Sequence, residues 1–148
     1  KEVSGAALSD ILNLNVTAPQ RLNHHLLPLM KQGSAIIYVG STLSEKAVAN
    51  SFTYVTSKHA VLGMMRATCQ DLAGTQIHTA CVCPGFTDTE MLRAHVGDSE
   101  AVLQDIASGS TFGRLVLPGE IADLLFFAAE NPVINGAVLH GNLGQIES

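Results

Sequence analysis

The chain has 148 residues, a formal net charge of −5 and a sequence pI of about 5.6, and 47% of its residues are hydrophobic while 14% are charged. This composition predicts one folded domain rather than a disordered segment, and the acidic balance gives no electrostatic attraction to nucleic acid or to an anionic membrane. No apolar run approaches the roughly 20 residues that span a bilayer, and no signal peptide is apparent, so we expect a cytoplasmic protein.

The hydrophobic pattern alternates between helical and extended segments. Apolar residues recur at helical spacing over Ser4–Met30, and Pro19, which cannot donate a backbone hydrogen bond, predicts a kink near Asn15–Pro19. The segments that follow are, in chain order, a buried strand at Ser34–Gly40, a helix at Phe52–Ala73, a buried strand at Gln76–Cys83, a weakly helical stretch at Thr89–Ser108 broken at Gly97, a helix at Gly119–Glu130 and a strand at Ala137–His140. This order predicts an α/β domain with a parallel sheet. Three strands are few for a doubly wound fold, which typically has about six.

The three cysteines, Cys69, Cys81 and Cys83, are an odd number, which favours a reduced cytosolic protein over a disulfide scaffold. Within a strand, Cys81 and Cys83 lie on one face and His78 lies on the other. We therefore interpret the two thiols as buried apolar side chains rather than metal ligands. No H-x-x-x-H pair occurs, and we predict no metal site.

Tyr54 and Lys58 are one helical turn apart and share a face of the predicted helix. A free tyrosine has a pKa near 10, and an ammonium group within about 4–6 Å favours the phenolate, so the pair could exchange protons with a substrate. The alternative is an aromatic ring packed on the helix beside a solvated lysine. Ser41 follows the first predicted strand, where its hydroxyl could donate to a substrate oxygen or could instead cap a turn.

Ser41 together with the run Y-V-T-S-K at Tyr54–Lys58 resembles the catalytic motif of the short-chain dehydrogenase/reductases. Further runs that match this family are, in order, N-V-T-A-P at Asn15–Pro19, P-G-F-T-D-T at Pro84–Thr89, G-R-L-V-L-P-G-E-I-A-D at Gly113–Asp123 and N-G-A-V-L-H at Asn135–His140. The resemblance covers nearly the whole chain. It implies the C-terminal part of a Rossmann-like, doubly wound parallel sheet.

The resemblance also implies an oxidoreductase that interconverts an alcohol and a carbonyl group by hydride transfer with NAD or NADP. Tyr54 would exchange the proton, Lys58 would favour the phenolate and hold the nicotinamide ribose, and Ser41 would bond the substrate oxygen. Asn15 would hold a water molecule that links Lys58 to solvent. The remaining cofactor contacts would come from Pro84, Gly85, Thr87 and Thr89. Residues from 90 to about 117 would form a substrate lid.

The sequence departs from the family pattern at both ends. Nothing matches the glycine-rich turn T-G-x-x-x-G-x-G, whose backbone binds the pyrophosphate of the cofactor. We therefore expect a C-terminal portion of a longer domain, or else a naturally short product, that is inactive on its own. Near the end of the chain, Leu143 stands where a glycine is usual, which predicts a different local turn.

The resemblance implies a homodimer or homotetramer in which the first helix and the Tyr54 helix pack against their copies. Two other functions are open. A serine hydrolase would use Ser41 with His59 or His78 as base, but the nucleophile motif G-x-S-x-G is absent. A non-catalytic binding or scaffolding module that retained the fold is the main alternative, and titration with NADH and NADPH would distinguish it from the enzyme.

Overall fold

The computed structural model describes residues 3–146, which form an α/β domain with a three-stranded sheet. The helices are α1 (Gly5–Leu12), α2 (Ala18–Leu26), α3 (Phe52–Asp71), α4 (Glu90–Val96), α5 (Glu100–Ser108) and α6 (Pro118–Glu130), and the strands are β1 (Ala35–Val39), β2 (His78–Pro84) and β3 (Ala137–Gly141). Both β1 and β3 pair with β2 in parallel, with Val39 opposite Val82 and Val82 opposite Leu139. The predicted parallel sheet is thus confirmed, with strand ends that differ by at most two residues. The prediction that the first strand is buried is wrong: along β1 only Tyr38 is buried and Val39 is exposed, because in the described part of the chain β1 pairs on one side only.

The central strand β2 is buried on both faces of the sheet, and its residues from His78 to Cys83 are all buried. On one face, Cys81 and Cys83 pack against apolar side chains of α3, including Met65. On the other face, Ala80 and Val82 pack against α6. A strand covered on both faces has no exposed side, and the run from His78 to Cys83 is accordingly buried throughout, including the polar residues His78 and Thr79.

The two faces of β2 separate the cysteines from the histidine, as predicted. His78 points towards α6, where its Nε2 lies 2.9 Å from the carbonyl oxygen of Ala128. Cys81 and Cys83 are completely buried on the α3 side, with their sulfur atoms 3.8 Å apart. Their interpretation as buried small apolar side chains is confirmed.

The first long helix contains a π-helical turn where a kink was predicted. After α1, residues Asn13–Thr17 form this turn, the Ala18 N–H donates to the Asn13 carbonyl, and α2 follows without a break. Pro19 has no N–H to offer the carbonyl of Asn15, which a regular α-helix would require. A π turn rearranges the backbone hydrogen bonds at this place, and such turns occur frequently at functional sites.

The turn after β3 has an unusual backbone at Leu143, and whether this turn differs from that of the family stays a prediction. Leu143 adopts φ 52°, a left-handed conformation that glycine accepts more readily than leucine. Thr111 holds this turn in place, because its hydroxyl donates to the Leu143 carbonyl at 3.0 Å and its N–H donates to the Gly144 carbonyl at 2.9 Å. The Leu143 side chain packs against the core on the α6 face of the sheet, which offsets the strain.

Within residues 3–146, none of the helices combines the length and the apolar character that a membrane-spanning helix needs.

The start of α6 is fixed by hydrogen bonds to the side chain of Glu120. Both carboxylate oxygens of Glu120 accept from Arg114, at 2.8 and 2.7 Å, and one also accepts from the Leu117 N–H at 2.8 Å. The Arg114 hydrogen bonds, followed by the Leu117 N–H, lower the pKa of Glu120 from 4.5 to about 2.

We expect Glu120→Gln to flatten the pH dependence of the free energy of unfolding in acid. A depressed carboxyl pKa adds stability that is complete above pH 4.5 and is lost as the pH falls towards 2, because the unfolded chain then binds more protons than the folded one. Urea unfolding at several pH values measures the slope. Glu130→Gln, at the other end of the same helix, is the control, and an equal flattening in both variants would contradict the role of Arg114.

Candidate active site

The carboxyl ends of β1 and β2 meet at one edge of the sheet, which is where parallel sheets bind their ligands. The ladder continues past the strands, because the Gly40 N–H donates to the Val82 carbonyl at 2.8 Å and the Gly85 N–H donates to the Gly141 carbonyl at 3.0 Å. A Cβ on Gly85 would lie 2.8 Å from Cβ of Asn142, so only glycine fits this close approach of two backbones.

Ser41 lies at this edge and begins a 3-10 turn at Thr42–Ser44. Its hydroxyl oxygen accepts from the Leu43 N–H at 3.1 Å, and in return the Ser44 hydroxyl accepts from the Ser41 N–H at 3.1 Å. Ser41 therefore caps a turn, which was one of its two predicted roles. Because the hydroxyl acts as an acceptor in this contact, its proton is free to donate to a ligand oxygen, and the second role is compatible with the first.

Tyr54 and Lys58 lie on the first two turns of α3. The Lys58 ammonium is 5.6 Å from the centre of the Tyr54 ring and donates to the Val39 carbonyl at 3.1 Å. Burial lowers the pKa of Lys58. The Tyr54 ring is 36% exposed, and no residue in the described part of the chain bonds to its hydroxyl, which leaves that group available to a ligand.

Asn15 reaches the same helix through a buried serine. Its side-chain amide donates to the Ser57 hydroxyl at 3.0 Å, and that hydroxyl donates to the Tyr54 carbonyl at 2.8 Å. Ser57 is completely buried, so both bonds are shielded from water. The role of Ser57 was not predicted from the sequence. The pattern that could have indicated it is a small polar residue between Tyr54 and Lys58, one helical turn after the tyrosine.

Thr87 and Thr89 follow β2 in a short loop. The Thr89 hydroxyl oxygen accepts from the Leu92 N–H at 3.3 Å and caps the start of α4, so its proton is free to donate to a ligand. The Thr87 hydroxyl donates to the Gly85 carbonyl at 3.1 Å, which leaves the backbone of Thr87 as the group for ligand contact. Pro84, the last residue of β2, precedes this loop.

The site lies over the two buried thiols. A Cβ on Gly40 would come within 2.8 Å of both cysteine sulfurs and of the Ser44 hydroxyl, so these groups pack directly under the backbone that leads to Ser41. The sulfur of Cys83, and then burial, raise the pKa of the Cys81 thiol, which therefore stays protonated. Among residues 3–146, no group of three or more histidine, cysteine or acidic side chains is arranged to hold a metal ion.

Comparison with known proteins places this geometry in a family. A family profile described as "Enoyl-(Acyl carrier protein) reductase" matches residues 1–145. The chain is 33% identical over 140 residues to the 3-oxoacyl-[acyl-carrier-protein] reductase FabG of Vibrio harveyi, covering 92% of this chain and 56% of that protein. The chain belongs to the short-chain dehydrogenase/reductase family.

Solved structures of family members agree with the fold. A short chain dehydrogenase family protein from Francisella tularensis superimposes with a TM-score of 0.88 and 27% identity, covering 96% of this chain and 63% of that one. An angucycline C-6 ketoreductase, LanV, solved with bound NADP, superimposes with a TM-score of 0.85 and 28% identity, covering 97% of this chain and 55% of that one. The chain thus spans little more than half the length of these relatives, and it has the Rossmann-type fold of the family.

We expect Gly40→Ala to lower the free energy of unfolding by about 1–3 kcal/mol, because the added methyl group overpacks a buried site that cannot widen. The displaced backbone should also move Ser41. Gly63→Ala is the matched control: it lies on the exposed side of α3, where a Cβ meets nothing within 4 Å, and alanine should stabilise the helix there by about 0.5–1 kcal/mol. Equal effects of the two substitutions in urea unfolding would contradict this account of Gly40.

Proposed function

We propose that the protein interconverts an alcohol and a carbonyl group as a nicotinamide-dependent short-chain dehydrogenase or reductase. The observation that carries this proposal is the position of Lys58, whose ammonium lies beside the Tyr54 ring and is bonded to the Val39 carbonyl. That bond joins the helix of Tyr54 to the strand that leads into Ser41. A phenol, an ammonium group and a free hydroxyl proton are therefore gathered at one sheet edge.

In the proposed reduction, Tyr54 gives its phenolic proton to the oxygen of a carbonyl substrate. The Lys58 ammonium stabilises the negative charge that this leaves on the tyrosine oxygen. Ser41 donates its free proton in a hydrogen bond to the same substrate oxygen, which stabilises the charge that develops there. In the oxidation of an alcohol the tyrosine oxygen takes up the alcohol proton instead, and Ser41 again keeps its proton in a hydrogen bond to the substrate oxygen.

Asn15 has a proposed role in returning the proton. Its amide fixes the π turn to α3 through Ser57, while Pro19 leaves the Asn15 carbonyl without its usual α-helical donor. A carbonyl of this kind can hold a water molecule. We propose that this water links Lys58 to solvent, so that Tyr54 regains its proton after each turnover.

The residues after β2 fit a nicotinamide cofactor. When bound, NAD or NADP supplies or accepts the hydride. Thr89 has a hydroxyl proton free for the carboxamide or pyrophosphate oxygens, Thr87 offers its backbone to the carboxamide, and Lys58 can reach the ribose hydroxyls. Pro84 and Gly85 bring the backbone close to this ligand. LanV, the similar protein solved with bound NADP, supports this choice of cofactor.

We propose that activity requires the phosphate-binding half that accompanies these residues in longer relatives. In the described part of the chain, β1 pairs only with β2, so its other edge presents unpaired backbone groups. Val39 on this strand is 47% exposed. Further strands on that side would cover the edge and bring a glycine-rich turn to the site. Residues 90 to about 117 are proposed as the substrate lid, and Met91 within them is well exposed.

The test of the proposed function is Tyr54→Phe in the protein that includes the phosphate-binding half. We expect kcat for reduction of a 3-oxoacyl probe such as acetoacetyl-CoA with NADPH to fall by about 100-fold or more, because the proton donor is lost. The dissociation constant for NADPH, measured by fluorescence titration, should change little. The probe is chosen because two of the similar proteins are described as acting on 3-oxoacyl or ketoacyl groups.

Tyr38→Phe is the matched control, since it removes the only other phenol in the chain. The Tyr38 hydroxyl accepts from Asn23 at 2.6 Å and lies 2.9 Å from the Thr68 hydroxyl, so its loss should reduce stability and leave kcat unchanged. Near-parental kcat in Tyr54→Phe would overturn the proton-donor assignment. If the parent protein bound neither NADH nor NADPH, the non-catalytic module would be the better interpretation.

We also propose a homodimer or homotetramer built on the faces of α2 and α3. Leu22, Leu26 and Leu29 are 60%, 51% and 74% exposed and lie on one side of α2 and the turn after it. An apolar stripe of this kind is typical of an interface between subunits.

Leu22→Glu combined with Leu26→Glu should shift the protein to a monomer in sedimentation velocity, because two buried carboxylates would lose their hydration at the interface. Gln20→Glu adds one carboxylate at an exposed position of the same helix outside the leucine stripe and should leave the assembly intact. An unchanged assembly in the double variant would place the interface elsewhere.

A further inference from the structure

The loop that carries Thr87 and Thr89 is followed by a segment of chain whose C-terminal end is hydrogen-bonded back to the same loop. This segment contains α4 and α5 and returns at Val116, which is buried. There the Asp88 N–H donates to the Val116 carbonyl at 2.9 Å, and the Val116 N–H donates to the Phe86 carbonyl at 2.9 Å. The return point of the α4–α5 segment is therefore bonded directly to the loop proposed to bind the cofactor.

The side chain of Asp88 holds the near end of the same segment. Its two carboxylate oxygens accept from Arg93 on α4, from Nε at 2.8 Å and from Nη2 at 3.0 Å. This two-bond geometry is the strongest form of arginine–carboxylate pair. The Arg93 hydrogen bonds hold the pKa of the Asp88 carboxyl below its usual value, so the carboxylate is charged at neutral pH.

Arg93 also reaches past α4. Its Nη1 lies 3.7 Å from the Asp98 carboxylate, which follows the break at Gly97 between α4 and α5. The backbone of Gly97 has φ 90°, so the chain changes direction there. The Arg93 guanidinium thus contacts both Asp88, in the loop before α4, and Asp98, in the connection between α4 and α5.

We propose that Asp88 and Arg93 are positioning residues that couple the cofactor loop to the substrate lid. This inference rests on the proposed function. Asp88 joins both ends of the α4–α5 segment, by its backbone to Val116 and by its carboxylate to Arg93. A cofactor that orders Thr87 and Thr89 would therefore order the lid as well, and substrate bound under the lid would tighten the cofactor loop.

A purely structural role would have different consequences. The Arg93 and Asp88 side chains are 38% and 33% exposed, and ion pairs at this level of exposure add little to global stability. We expect the pair to affect local opening instead, that is, how often the α4–α5 segment detaches from the loop that contains Asp88. Because the pair is also accessible to salt, its contribution should weaken as ionic strength rises.

The experiment uses Asp88→Asn, Arg93→Gln and the double variant in the protein that includes the phosphate-binding half. Each single variant should raise both the KM for the acetoacetyl-CoA probe and the dissociation constant for NADPH by about threefold to tenfold, with kcat nearly unchanged, since Tyr54 and Lys58 are untouched. The double variant should equal the singles, because the two side chains act as one unit. Arg93→Lys should raise KM and the dissociation constant less than Arg93→Gln does. Lysine keeps the positive charge beside Asp88, but it cannot make both hydrogen bonds.

Hydrogen exchange provides a readout that does not depend on activity. Amides of residues 90–108 should exchange faster in Asp88→Asn than in the parent protein, and raised salt should produce the same change in the parent. Arg66→Gln is the control: it breaks the 3.4 Å contact between Arg66 and Glu45, which touches neither the loop nor the segment, and exchange and kinetics should stay parental.

The outcomes separate the two proposals. If the parent protein binds and reduces its substrates while both singles keep parental KM and exchange, the coupling is wrong and the proposed function stands. Additive effects in the double variant would also overturn the coupling. If the parent protein neither binds NADPH nor turns over, the proposed function fails, and faster exchange at residues 90–108 in Asp88→Asn would then establish only the attachment of the segment and overturn its link to the cofactor.

Discussion

The contact between the Lys58 ammonium and the Val39 carbonyl is the constraint on which the candidate site depends. It joins a helix to the end of the preceding strand, whose last residue lies 19 positions earlier in the chain. It adds to the packing of α3 on β2 and to the hydrogen bonds from Asn15 through Ser57 to Tyr54. With it, the first turns of α3 have a defined position relative to the carboxyl edge of the sheet, and the Tyr54 phenol and the Ser41 hydroxyl share one frame.

That frame is rigid because the layer beneath it is fully packed. The buried strand β2 has helices on both faces, and its two thiols fill the space under Gly40 down to van der Waals contact. Close packing of this kind transmits small displacements rather than absorbing them. The polar side chains proposed for the chemistry are at the edge of the sheet, and the apolar layer beneath them sets their positions. Glycine at positions 40 and 85 is required by closeness of packing rather than by flexibility.

The sequence predicted the parts of the structure that depend on local pattern. Buried strands and amphipathic helices follow from the period of apolar residues, and the opposite directions of His78 and Cys81 follow from alternation along a strand. The π turn was only located, as a kink, because proline shows that a regular hydrogen bond is lost but not how the backbone rearranges around it. Leu143 was noted as unusual, yet its left-handed backbone depends on Thr111, which is distant in the chain. Ser57 was missed because its importance comes from two hydrogen bonds, one of them to a residue on another helix.

The polar contacts around the site are of two kinds, buried and partly exposed. The bonds from Asn15 through Ser57 to Tyr54 are shielded from water, so breaking one leaves a buried polar group unpaired and the arrangement holds as a whole. The Asp88–Arg93 pair is partly solvated, so water can replace either partner at small cost. The proposed enzyme would hold Tyr54 still while the proposed lid opens and closes, and this would require both kinds of contact. The buried bonds hold α3, where the proposed chemistry requires a fixed geometry, and the exposed pair lies where the α4–α5 segment meets the loop, where a weak attachment could be broken and remade in each proposed catalytic cycle.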